Sequence, residues 1–102
     1  MSATVFEKNG NALTVKPSGR LDTTTSPVFQ NELMQHLGGI MDLTVDFANV
    51  VYISSGGLRV LLTVQQEMDS REGEMRLIHV SAQILSIFEL VGFSDIVTII
   101  PD

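Results

Sequence analysis

The 102-residue chain has 6 basic and 12 acidic residues, a formal net charge of −6, and is 44% hydrophobic and 18% charged, which is the composition of one globular domain and not of a disordered chain. That charge opposes nucleic acid and anionic lipid as partners, and Lys8, Lys16, Arg20, Arg59, Arg71 and Arg76 are scattered, forming no basic patch. The absence of cysteine excludes a disulfide framework, a thiolate nucleophile and a Cys-based zinc site. Glu7 and Lys8 interrupt the first apolar run, and no stretch approaches the roughly 18 apolar residues of a spanning helix. A cytoplasmic protein without membrane insertion is therefore expected.

Thr4 to Glu7 and Ala12 to Lys16 are β-prone runs on either side of Asn9-Gly10-Asn11, which predicts an opening hairpin with a tight turn. Pro17-Ser18-Gly19 predicts a bend, and Arg20-Leu21-Asp22 then leads into Thr23-Thr24-Thr25-Ser26. Ser26 before Pro27 predicts a hydroxyl cap and a helix that starts there or a residue earlier. Val28, Phe29, Leu33, Met34 and Leu37 continue that helix, and Gly38-Gly39 ends it. Leu43, Val45 and Phe47 alternate with polar residues as a strand, after which Val50 to Ile53 carries the chain into Ser54-Ser55-Gly56-Gly57. From Leu58 a second helix places Leu58, Leu61, Leu62 and Gln65 on one stripe, widened by Val60 and Val64, and ends with Gly73 as a left-handed terminator. Met75, Leu77 and Ile78 predict a strand. Ser81 caps a third helix carrying Ile84, Leu85, Ile87, Phe88 and Val91, closed by Gly92, and Ile96 to Ile100 predicts a last strand. The order β-β-α-β-α-β-α-β predicts an α/β fold over residues 1–102: a mixed, mostly parallel sheet that opens with a hairpin and is covered by crossover helices.

Catalytic constellations are not evident. The hydrolase elbow G-x-S-x-G fails because Ile53 stands two residues before Ser55. His36 falls within the first helix and His79 at a strand end, and nothing ties either to a serine or to clustered carboxylates. Gly56-Gly57 lacks the lysine of a phosphate loop, and the next basic residue is Arg59. No enzyme activity, metal or cofactor is expected. The two hydroxyls before the second helix have a structural role available, since Ser54 or Ser55 as N-cap stabilises a helix by about 1 kcal/mol. One serine suffices for that. Two glycines in a first turn each cost up to about 1 kcal/mol relative to alanine, so the backbone there must stay uncluttered, either for close helix–strand packing or for a partner that reaches a neighbouring serine.

The stretch VYISSGGLRVLL (51–62), with GRLDTTTSPVF (19–29) upstream and LVGFSDIVTI (90–99) downstream, resembles the STAS family of anti-sigma factor antagonists along essentially the whole chain. The resemblance implies a single STAS domain that binds an anti-sigma factor which is itself a serine kinase, controlled by phosphorylation within a motif D-S-[ST]-G-L. Matching on Gly57 and Leu58 places the phosphorylated serine on Ser55. Ser54 then stands where the motif has aspartate, and is a possible alternative acceptor, while Gly56 stands where it has a second hydroxyl residue. Asp22 matches the aspartate of a loop facing the phosphorylation site, and Arg59 is a candidate interface charge. The implied partners are the kinase, which brings ATP and Mg²⁺, and a metal-dependent serine phosphatase. The alternative is a docking subunit of a stress-signalling complex or transporter that needs no phosphate. A serine hydrolase, the third reading, predicts reaction with an active-site phosphonate probe.

Overall fold

A computed structural model describes residues 4–102. In chain order the elements are β1 Val5–Asn9, β2 Ala12–Lys16, β3 Ser18–Leu21, α1 Ser26–His36, β4 Asp42–Asp46, β5 Asn49–Ile53, α2 Ser55–Ser70, β6 Glu74–Ile78, α3 Ala82–Leu90, a 3-10 turn Phe93–Asp95 and β7 Thr98–Ile99. The hairpin β1–β2 is antiparallel, with Asn9 paired to Ala12 across Gly10-Asn11. The sheet continues in parallel through β4, β6 and β7, in the spatial order β1-β2-β4-β6-β7. The α/β fold class and its mostly parallel sheet are as expected. Alternation is the local reason: Leu13, Val15, Leu43, Val45 and Leu77 are buried, with half-buried Thr14, Thr44 and Arg76 between them. Phe29 and Leu33 from α1, Leu37 at its C-cap, Val60, Leu61, Val64 and Met68 from α2, and Ile84 and Phe88 from α3 pack into the same core.

The structure departs from the expected order by two strands. β3 and β5 form a separate two-stranded parallel sheet. Pro17-Ser18-Gly19 is therefore no simple bend: the strand begins at Ser18, and the irregularity sits inside it, where the register shifts between Gly19 and Arg20 and Gly19 takes φ 80. Val50 and Ile53 face inward, while Val51 is 68% exposed, so the apolar run is a one-sided strand of its own.

Two helix-end expectations also change. Ser26 is the first residue of α1 and not its cap; Thr25 holds the cap position without a side-chain capping bond to the helix. On α1, Val28 and Met34 point away from the core. At the end of α2, Glu72 and not Gly73 takes the left-handed conformation, at φ 57. Gly73 N–H donates to Met68 C=O at 2.8 Å and Glu72 N–H to Asp69 C=O at 3.1 Å, the paired bonds of a Schellman end in which Glu72 is the left-handed residue. Gly73 is needed for space instead, since a Cβ there would lie 2.8 Å from Met68 Cε and 3.0 Å from Met41 O. The last strand shrinks to two residues because Ile96 and Val97 N–H both turn back to Phe93 C=O.

Candidate functional site

The small sheet builds the site. Its parallel register pairs Leu21 with Ile53, so both strands release the chain at the same end, one into the Asp22 loop and the other into Ser54-Ser55. Ser54 N–H donates to Leu21 C=O at 2.9 Å. Ser54 Oγ donates to the same carbonyl at 3.3 Å and accepts Gly56 N–H at 3.2 Å, and Ser54 is the N-cap of α2. Its hydroxyl is committed to structure. Ser55, the first residue of α2, is exposed, and its hydroxyl makes no hydrogen bond among the described residues. The first turn of this helix holds no acidic residue, which leaves its positive dipole end open to an anion.

The two glycines have different reasons. A Cβ on Gly57 would lie 2.6 Å from Ile53 Cγ1 and 2.8 Å from Leu21 O, so Gly57 is a close helix–strand contact. On Gly56 a Cβ would meet Ser54 Oγ at 3.4 Å and Thr23 Cα at 3.6 Å, which is ordinary contact. Close packing therefore accounts for Gly57 but not for Gly56.

Asp22 organises the facing loop. Its Oδ1 accepts the N–H groups of Thr24 and Thr25, each at 3.0 Å, and its Oδ2 lies 3.4 Å from Arg20 Nε. Thr25 Oγ1 donates to Arg20 C=O at 2.6 Å and accepts Asp22 N–H at 2.9 Å. The Thr25 N–H is the leading reason the Asp22 carboxyl stays below its ordinary range. This clasp makes Asp22 a loop and helix-start residue whose carboxylate is turned into its own loop, with its backbone carbonyl toward Gly56. Sequence reading missed Thr25 and the Arg20 guanidinium, which lies 4.3 Å over the Tyr52 ring and ties β3 to β5. The run Asp22-Thr23-Thr24-Thr25 carried a usable signal, because aspartate bonding to the N–H groups two and three residues on is a common turn device.

Leu58 is half-buried at the edge of the core, and Arg59 is exposed with a guanidinium unpartnered among the described residues. A cleft of about 280 Å³ runs between Thr23, Ser26, Pro27 and Gln30 on one side and Gly56 and Arg59 on the other. A larger cleft, about 670 Å³, lies between α3 and the C-terminal strand and involves none of the motif residues.

The histidines are engaged elsewhere. His36 stacks on Phe6 with centroids 3.8 Å apart. His79 Nδ1 lies 2.8 Å from Asp46 Oδ1, and that hydrogen bond, followed by the Asp46 charge, raises the imidazole above its ordinary range. Desolvation pushes Asp46 up, but the Ala48 N–H and His79 together hold its carboxyl lower than usual. The pair thus contributes stability that is fully present below about pH 6.5 and is lost as pH rises through the raised His79 value. On the acid side the contribution is lost as pH falls through the depressed Asp46 value. In an NMR titration of the His79 ring, Asp46→Asn is expected to return the midpoint toward the ordinary imidazole range, and His79→Gln to flatten thermal stability between about pH 6 and pH 8.

A family model described as the STAS domain matches residues 3–102. An anti-sigma-B factor antagonist of Listeria monocytogenes serovar 1/2a is 29% identical over 101 residues, covering 97% of this chain and 88% of that protein. Among solved structures, an anti-sigma factor antagonist from Mycobacterium paratuberculosis superposes with a TM-score of 0.87 at 18% identity, covering 100% of this chain and 87% of that one. The Bacillus cell fate determinant SpoIIAA in its phosphorylated form superposes with a TM-score of 0.77 at 16% identity, covering 98% of this chain and 91% of that one.

Proposed function

The chain belongs to the STAS domain family, and from that premise we propose that it is an anti-sigma factor antagonist in a partner-switching pathway, with Ser55 as the phosphorylated residue. The unmodified form binds an anti-sigma factor that is a serine kinase, and so frees the regulator that the kinase was holding. The observation that carries the site is the division of labour between the two serines, Ser54 Oγ bonded to Leu21 C=O and Gly56 N–H, and Ser55 exposed at the open start of α2. A neighbour solved in a phosphorylated form supports the same reading.

In the transfer, Ser55 Oγ attacks the γ-phosphorus of ATP held by the kinase. The bond from that phosphorus to the ADP oxygen breaks, ADP leaves, and the serine proton passes to a base on the kinase. Hydrolysis by a metal-dependent serine phosphatase returns the hydroxyl and releases inorganic phosphate. The product carries about −1.5 to −2 charge at a helix N-terminus, where the dipole tolerates it, so the domain stays folded while its surface changes sign locally.

Site-mapping mass spectrometry on protein from its native cell tests this assignment. One phosphate on Ser55 is expected, absent from Ser55→Ala. Ser54→Ala is expected to keep the phosphate while losing about 1 kcal/mol of stability with its cap. A phosphate that persists in Ser55→Ala and disappears in Ser54→Ala would overturn it.

A further inference from the structure

Arg59 is a cation in an unusual position. It lies one turn into a helix whose positive end has no acidic residue in its first turn, a location the dipole disfavours. Lys16, Arg20, Arg71 and Arg76 are each paired with a carboxylate, whereas the Arg59 guanidinium has no partner among the described residues. It stands four residues after Ser55, on the same helical face. Across the cleft, Ser26 is only 2% exposed, and its Oγ is buried without a hydrogen-bond partner. Such a group costs free energy until a partner reaches it. Gly56, whose lack of a side chain close packing does not explain, lines the same cleft.

We propose that the cleft between α1 and α2 is a receiving site for the phosphoryl group of modified Ser55, with Arg59 as its cation and Ser26 Oγ as a hydroxyl donor. The proposal rests on the reading of Ser55 as the phosphoacceptor and adds what happens to the phosphate afterwards. Folded back against Arg59, the phosphate fills the space beside Gly56 and closes the cleft to a partner. A phosphatase must then lift it off Arg59 before hydrolysis.

Phosphoserine installed at position 55 of the full chain by genetic encoding removes any dependence on the kinase, and ³¹P NMR then reads the second pKa of the phosphate. Arg59→Gln is expected to raise that pKa by roughly 0.15–0.4 unit, the scale of an i,i+4 charge pair. Arg59→Lys is expected to restore part of the shift, and Ser26→Ala to raise the pKa by a smaller amount. In the unmodified protein, Arg59→Gln and Ser26→Ala are expected to leave the melting temperature unchanged or slightly raised, which a purely structural role would not allow. A phosphate pKa the same within about 0.1 unit in all four proteins, below the shift expected for such a pair, overturns the proposal. Partner binding is read separately. If the phosphoserine protein binds the kinase as tightly as the unmodified one, the proposed function fails, while the ³¹P titration still reports whether Arg59 holds the phosphate.

Discussion

Phosphorylation of Ser55 is expected to weaken binding of the partner kinase by about 30-fold to a few thousand-fold, measured by titration calorimetry with ADP present, while Ser55→Ala binds like the unmodified protein. The range follows from the cost of burying an unpaired charge at an interface, about 2–5 kcal/mol. Ser55 is exposed at the start of α2, with half-buried Leu58 and Leu62 following at helical spacing, so a partner seated on that face must cover the hydroxyl. A dianion there would have to shed its water against a surface shaped for a neutral group. An affinity unchanged by the phosphate would sink the switch. Stable co-purification of the unphosphorylated protein with a transporter or scaffold, together with an unchanged affinity, would favour a docking subunit.

The second large effect is on folding. Gly57→Ala is expected to destabilise the domain by about 2 kcal/mol, because a Cβ at 2.6 Å from Ile53 Cγ1 and 2.8 Å from Leu21 O forces strand and helix apart. Overpacking costs about 1–3 kcal/mol, and the better helix propensity of alanine returns at most about 1 kcal/mol. In a domain of this size the melting temperature falls by about 10 °C, and Gly57→Val should fall further. Gly56→Ala is the internal control. Its Cβ meets only ordinary contacts, so stability should hold or rise by up to about 1 kcal/mol. Equal losses in urea denaturation at the two positions would contradict the packing described for Gly57.

Legibility in the sequence followed the range of the interactions. The hairpin, the three helices and the parallel sheet announce themselves through local periodicity and punctuation. Leu13 and Val15, or Leu43 and Val45, alternate within one segment. The β3–β5 pair does not, because neither Ser18–Leu21 nor Asn49–Ile53 alternates along its length and each needs the distant other to become a strand. At the end of α2 two residues competed for the left-handed position. Gly73 had the better backbone, yet Glu72 takes that position, and the missing side chain of Gly73 instead leaves room for Met68 and Met41. The serine assignments divided in the same way. That one hydroxyl would cap α2 was readable, but which one depended on Leu21 C=O, a long-range acceptor. Ser26 looked like a cap and became a buried wall residue because Asp22, four residues earlier, already supplies bonds at that helix start.

The bond from Ser54 Oγ to Leu21 C=O spans 33 residues, and this fixes when during synthesis the protein becomes recognisable. At about 5–20 residues per second, a ribosome delivers the Asp22 loop seconds before the Ser54 motif. Until then the loop has no second strand to lie against. If the proposed function holds, a kinase that reads the assembled surface would be blind to a nascent or truncated chain, and only copies that have completed their long-range pairing would be open to modification.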